Sequence, residues 1–105
     1  MSAHSAKFSV GQLVQHRLFH YRGVIVDVDA EFQGSDDWYD RVARSRPPKD
    51  EPWYRVLVHG ADHQTYVAER NIARDARSEP IEHPLLEIFF DAFDETGYQS
   101  RSRPN

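Results

Sequence analysis

The sequence of 105 residues predicts a mainly β fold, a small open β-barrel of about five antiparallel strands. Three observations carry that expectation. The run Gly23-Val24-Ile25-Val26-Asp27-Val28-Asp29 is rich in β-branched residues, which suit a pleated, half-buried surface. Trp53 to His59 is a second such run, followed by Gly60-Ala61-Asp62-His63, a glycine-containing turn of hairpin length, and a return strand from Gln64 to Ala68. Short loops and little helix around these strands imply a small open β-barrel.

Taken in order, residues 1–7 are small and polar and read as a disordered N-terminus. Val10-Gly11-Gln12 is turn-like, and Leu13 to His16 forms a first strand. Leu18 to Arg22 connects it to the central strand, and the aromatics Phe19 and Tyr21 are placed to pack over a barrel end. In that central strand Val24, Val26 and Val28 share one face by period-2 alternation, and Ile25, Asp27 and Asp29 share the other. Gly23 permits a bend or a close backbone approach at its start.

Residues 30–52 form a long connection punctuated by Gly34, Pro47, Pro48 and Pro52, of a length that is often functional or mobile. A short helix fits inside it. Ser35 is a suitable N-cap, Asp36 and Asp37 suit the positive helix start, and Trp38 and Val42 lie four apart. After the hairpin, Glu69 to Ile72 suggests a turn that returns Ile72 to the core, closing a domain of residues 8–74. Arg74 to Pro80 reads as a polar linker. In the acidic tail 75–105, the spacing of Leu85, Leu86, Phe89, Phe90 and Phe93 predicts an amphipathic helix over 85–94, stopped by Gly97 and followed by a polar end.

Bulk properties narrow the function. There is no cysteine, which excludes a disulfide framework. The N-terminal stretch lacks the apolar core of a secretory signal, and no apolar run approaches the ~18 residues of a membrane span, so a cytoplasmic protein without membrane association is expected. The net charge of −4 is unevenly placed: residues 1–74 hold ten basic and ten acidic side chains, and residues 75–105 hold three and seven. A neutral body with an acidic end argues against tight, non-specific DNA binding, which rests on a basic field.

The motifs together resemble a known family. The series Val14-x-His16-x-x-Phe19-x-Tyr21-x-Gly23-Val24-Ile25-x-Asp27-x-Asp29, then Pro52-Trp53-Tyr54-x-Val56-Leu57-Val58, then Thr65-Tyr66-Val67-Ala68-Glu69-x-Asn71, is similar to the HspQ family, also called the YccV-like or hemimethylated-DNA-binding domain. The similarity runs from about Lys7 to Ile72 and does not extend to the apolar stripe at 85–93. It implies a somewhat SH3-like barrel. It also implies a non-enzymatic heat-shock factor that acts with Lon-type protease on unstable proteins, with binding of hemimethylated DNA as the alternative or additional role.

Each candidate site has a plain structural counterpart. His16/His20 and His59/His63 have four-residue spacing, but such pairs converge on a metal only when helical, and neither segment is. No metal or other cofactor is therefore expected, and His16 is read as a hydrogen-bonded barrel residue with the other histidines exposed. Asp27 and Asp29 share a strand face without a nucleophile or phosphate loop, which favours strand-end solvation over acid–base chemistry and predicts no enzyme. The basic candidates for DNA are Arg17, Arg22, Arg41, Arg44, Arg46, Lys49 and Arg55, densest from 41 to 49. Their counterpart is a solvated loop neutralised by Asp36, Asp37, Asp40, Asp50 and Glu51. Trp38, Tyr39 or Trp53 would supply the apolar contact that reading a base methyl group requires. The 85–93 stripe is too apolar to leave in water. It either docks on the chain's own barrel, the favoured reading, or on the protease, its substrates or a second copy of the chain.

Overall fold

The computed structural model describes residues 5–101. The polar ends at 1–4 and 102–105, and the expectation of disorder for the first of them, lie outside the described residues. Five antiparallel strands form one sheet: β1 (Leu13–His16), β2 (Arg22–Asp29), β3 (Trp53–Val58), β4 (Gln64–Ala68) and β5 (Ile72–Arg74), in the order β4-β3-β2-β1-β5. Strands β6 (Phe90–Asp94) and β7 (Gly97–Ser100) form a separate hairpin. Two short α-helices, α1 (Asp36–Val42) and α2 (Leu86–Phe89), and a 3-10 turn, Glu69–Asn71, complete the secondary structure of the described residues.

The mainly β class and the five strands agree with the sequence. The sheet is not a closed barrel, because β4 and β5 hold its two edges and are not paired with each other. It is nonetheless strongly curled. The chain passes from one edge to the other through only the 3-10 turn Glu69–Asn71. Four residue steps span at most roughly 14 Å, whereas five flat strands would place the edges roughly 19 Å apart. The turn is anchored by Glu69 N–H to the Pro52 carbonyl and by Arg17 N–H to the Asn71 carbonyl. Ile72 returns to the interior as expected.

Both faces of the sheet carry a core. On the inner face Val14, Ile25, Tyr54, Val56, Val67 and Ile72 pack together, with Phe8, Tyr21 and Val28 beside them. On the outer face Leu13, Val24 and Leu57 pack against Ile81 and Phe90. The strict alternation expected along β2 fails after Val26. A β-bulge between Ile25 and Asp27 shifts the register against β3, so Val28 joins the inner core with Ile25, and Val26 stays on the outer face with Val24. Gly23 is required by close approach: a Cβ there would meet the Leu57 carbonyl oxygen at 2.5 Å as well as the Val56 side chain.

The chain beyond Arg74 is part of this fold. Asp75 is buried, and its carboxylate accepts from Arg22 Nε at 2.7 Å across the outer face. The helix expected over 85–94 is confined to the single turn of α2, and the rest is hairpin. The apolar positions satisfy helical spacing, but packing selects the hairpin. Tyr98 packs at a tilt against Phe90 and Phe93, with ring centroids 5.2 and 4.6 Å apart, and a reversal of the chain brings those rings together. Asp94 Oδ1 accepts from both Thr96 N–H and Thr96 Oγ1–H, which builds the turn. Gly97, expected as a helix stop, instead occupies φ +124 at the start of β7, a conformation that suits glycine.

Candidate functional site

The long 30–52 connection positions the site. Ser35 caps α1, accepting from Trp38 N–H through Oγ at 3.0 Å. Asp36 and Asp37 occupy the first turn, as the sequence predicted. The segment is folded onto the sheet by aromatic packing. Phe32, Trp38 and Tyr39 pack against Trp53 and Tyr66, with the Phe32–Trp53 and Trp53–Tyr66 centroids 4.8 and 5.2 Å apart. Polar anchors finish the job: Tyr39 Oη–H donates to the Pro47 carbonyl at 2.6 Å, and Trp53 Nε1–H to the Pro48 carbonyl at 3.0 Å.

Between this folded segment, the β1–β2 turn and strand β4 lies a groove of about 740 Å³. Its rim holds Leu18, Phe19 and Val42, which are 55%, 73% and 51% exposed. Its walls include Tyr21, Trp38 and Tyr66. Arg44 and Arg55 are its basic side chains, and no carboxylate lines it. Three of the most exposed large apolar residues of the described chain thus converge on one concavity. Exposed apolar side chains gathered around a concavity are a common feature of recognition sites in general.

Family-motif residues mostly build the frame around this groove. His16 accepts from both Leu18 N–H and Phe19 N–H through Nδ1, at 3.1 Å each, and its ring stacks on Phe19 at 4.6 Å. Burial, and next the nearby His20, hold its pKa below the ordinary histidine value, so the neutral ring that can accept these bonds is favoured. Tyr21 shares a 2.7 Å hydrogen bond with Thr65 across the groove floor. Tyr66 Oη–H donates to Asp29 at 2.5 Å and accepts from Gln33 N–H. Burial and the Asp29 carboxylate push its pKa up to about 12. Tyr54 Oη–H donates to Glu69 at 2.6 Å, and burial followed by that carboxylate raises its pKa as well. Asn71 donates to Ser45 at 3.3 Å, tying the β4–β5 turn to the long connection. The reading of His16 as a hydrogen-bonded residue of the fold is correct. His20, His59 and His63 are exposed as expected, but His83 is buried: its Nδ1 accepts from Leu85 N–H, and its Nε2 faces the His63 carbonyl.

The seven basic candidates are engaged in different ways. Arg22 is 7% exposed and engaged with Asp75, so it has no access to a phosphate backbone. Arg46 pairs with Asp40 and Lys49 with Asp36, both at 3.0 Å. Arg41 and Arg55 lie 4.0 and 3.9 Å from Asp37 and Asp27. Arg46 and Lys49 also sit over the Tyr39 ring. Arg17 turns its Nε to the Ile72 carbonyl. Arg44 has no carboxylate partner among the described residues and is the member of the set that opens into the groove beside Arg55.

The apolar stripe offered for partner docking is largely covered by the chain itself. Phe90 is buried, and Leu85, Leu86, Phe89 and Phe93 are half-buried against the outer core. Intramolecular docking, the favoured reading, is what the structure has. Leu18, Phe19 and Val42, exposed at the groove, were not among the residues offered for partner docking. Their signal was modest: an apolar Leu18-Phe19 pair in a connection with no strand to bury it, and Val42 one helical turn from Trp38.

A curled sheet with an apolar, ring-walled groove along one edge is the arrangement these residues build. Residues 6–97 match the model of the family described as hemimethylated DNA-binding protein YccV like, and the chain belongs to that family, the HspQ family. The match extends past Ile72 through α2 and β6, which the motif similarity had left out. No helix among the described residues is long and apolar enough to cross a membrane.

Proposed function

We propose that this chain is a non-enzymatic protein-binding factor of protein quality control, which uses its groove to engage polypeptides and so modulates Lon-type proteolysis. The observation that carries this reading is the groove itself. Its rim is apolar and exposed, its walls are aromatic, and it contains no carboxylate. Three of the four basic side chains of the 41–49 run have an aspartate beside them. Apolar desolvation is the dominant drive for holding unfolded segments, whereas duplex binding draws on many unneutralised cations.

The test is degradation of an unfolded substrate by a purified Lon-type protease, with and without this chain. The chain changes the rate, and Phe19→Ser, at an exposed position on the rim, removes most of that change while leaving the fold intact. An unchanged rate with the native chain contradicts the proposal.

The alternative role is binding of hemimethylated DNA. It rests on the family description and on Arg44, which is without a carboxylate partner among the described residues. Titration of hemimethylated and unmethylated duplexes across a salt series decides it. A preference for the hemimethylated duplex that strengthens at low salt supports the role, and no measurable affinity at low salt removes it.

A further inference from the structure

We propose that the free edge of β4 is a strand-addition site, taking an extended, apolar polypeptide segment that carries an acidic side chain. The inference rests on the protein-binding reading above and specifies how the groove would hold its ligand.

Strand β4 is an edge of the sheet. Its pairing with β3 fixes which backbone groups are used. Glu69 N–H bonds to the Pro52 carbonyl, and Val58 N–H bonds to the His63 carbonyl. In an antiparallel ladder these two pairs mark the hydrogen-bonded parity, to which 54/67 and 56/65 also belong. Gln64, Tyr66 and Ala68 therefore turn their N–H and C=O groups away from β3. Among the described residues none of these groups has another hydrogen-bond partner. Ala68 is buried at the inner end, so the accessible stretch is Gln64 to Tyr66.

This edge looks into the groove. The groove is lined by Thr65 and Tyr21 from one face of the sheet and by Tyr66 and Trp38 from the other, so it runs along the edge instead of lying on a face. A strand laid there alternates its side chains between those two walls, while its backbone meets the free groups of Gln64 and Tyr66. Open edges are normally protected by charge, proline or shortness. The sequence Gln-Thr-Tyr-Val-Ala has none of the first two, whereas the opposite edge, β5, is three residues long and carries Arg74. The charge of the occupant follows from the lining: Arg55 has Asp27 3.9 Å away, but Arg44 has no carboxylate partner among the described residues, and no carboxylate lines the groove.

Binding can be followed through the fluorescence of Trp38 and Trp53, both in the groove lining. The probe is a capped seven-residue peptide alternating valine and threonine with one glutamate. A second peptide has identical side chains but is N-methylated at two adjacent central amides, so that neither of its edges can pair. The unmodified peptide binds, the N-methylated one binds at least roughly tenfold more weakly, and Gln64→Pro, which removes an edge-facing N–H at the first residue of β4, weakens the unmodified peptide severalfold. Exchange of the glutamate for glutamine weakens it as well. Equal binding of the two peptides overturns strand addition and leaves the groove as an apolar site. No binding of either, in a chain that still alters protease activity, overturns this inference alone. No binding together with no effect on the protease overturns both readings. Loss of peptide binding as the chain self-associates would put a second copy at the edge and also overturn it.

Discussion

Two buried polar groups set the character of the fold at the residue scale. Arg22 and Asp75 form an ion pair largely removed from water, with Arg77 3.6 Å from the second carboxylate oxygen. Breaking such a pair leaves an uncompensated buried charge, which costs more than the pair itself contributes. Arg22→Ala is expected to destabilise the chain by about 3 kcal/mol, at the low end for a broken buried pair because Arg77 remains, as read by urea denaturation. His16 brings pH dependence. Its folded-state pKa is depressed, so the unfolded chain takes up the proton first. Its contribution to stability is present above the ordinary histidine value of about 6.5 and is lost as pH falls below that value toward the folded pKa. His16→Asn keeps an acceptor for the Leu18 and Phe19 amides but cannot titrate. Denaturation curves between neutral and mildly acidic pH should therefore fall more steeply for the native chain than for this variant. Parallel curves would show that His16 does not carry the effect.

Elements differ in how openly the sequence declares them. Strands β1 to β4 were legible because each is a short apolar run bounded by glycine, proline or a polar turn. Helix α1 was legible because its cap and first-turn charges are local features. The C-terminal hairpin was not, because Leu85, Phe89 and Phe93 obey helical spacing and the ring of Tyr98 that overrides it comes later in the chain. The bulge in β2 was equally hidden, since it is set by register against β3. The hairpin has a measurable role. Phe90 packs against Leu13, Val24 and Leu57 on a sheet face that would otherwise meet water. Phe90→Ala should cost about 3–5 kcal/mol, and increased binding of a hydrophobic dye would accompany it as that face opens. A loss within about 0.5 kcal/mol, typical of a surface substitution, would mean that the hairpin is not part of the core.

Over the whole molecule, charge and apolar surface are segregated in a way composition could not reveal. The basic residues of the 41–49 run were visible in the sequence, but their neutralisation depends on Asp36, Asp37 and Asp40 being brought beside them by α1. The groove was legible only in pieces, because its rim joins Phe19 to Val42 and its edge comes from β4. A partner held by apolar contact and backbone pairing should bind with little dependence on salt, whereas a duplex held through phosphates would lose affinity steeply as salt rises. The most direct measurement is an amide chemical-shift map of the isotopically labelled chain titrated separately with an unfolded polypeptide and with hemimethylated duplex. The polypeptide is expected to shift Leu18, Phe19, Trp38, Val42 and the β4 amides, with little change in affinity between low and moderate salt. A polypeptide that leaves those amides unmoved, with a duplex that shifts Arg41 to Lys49 and weakens steeply with salt, would contradict the protein-binding role.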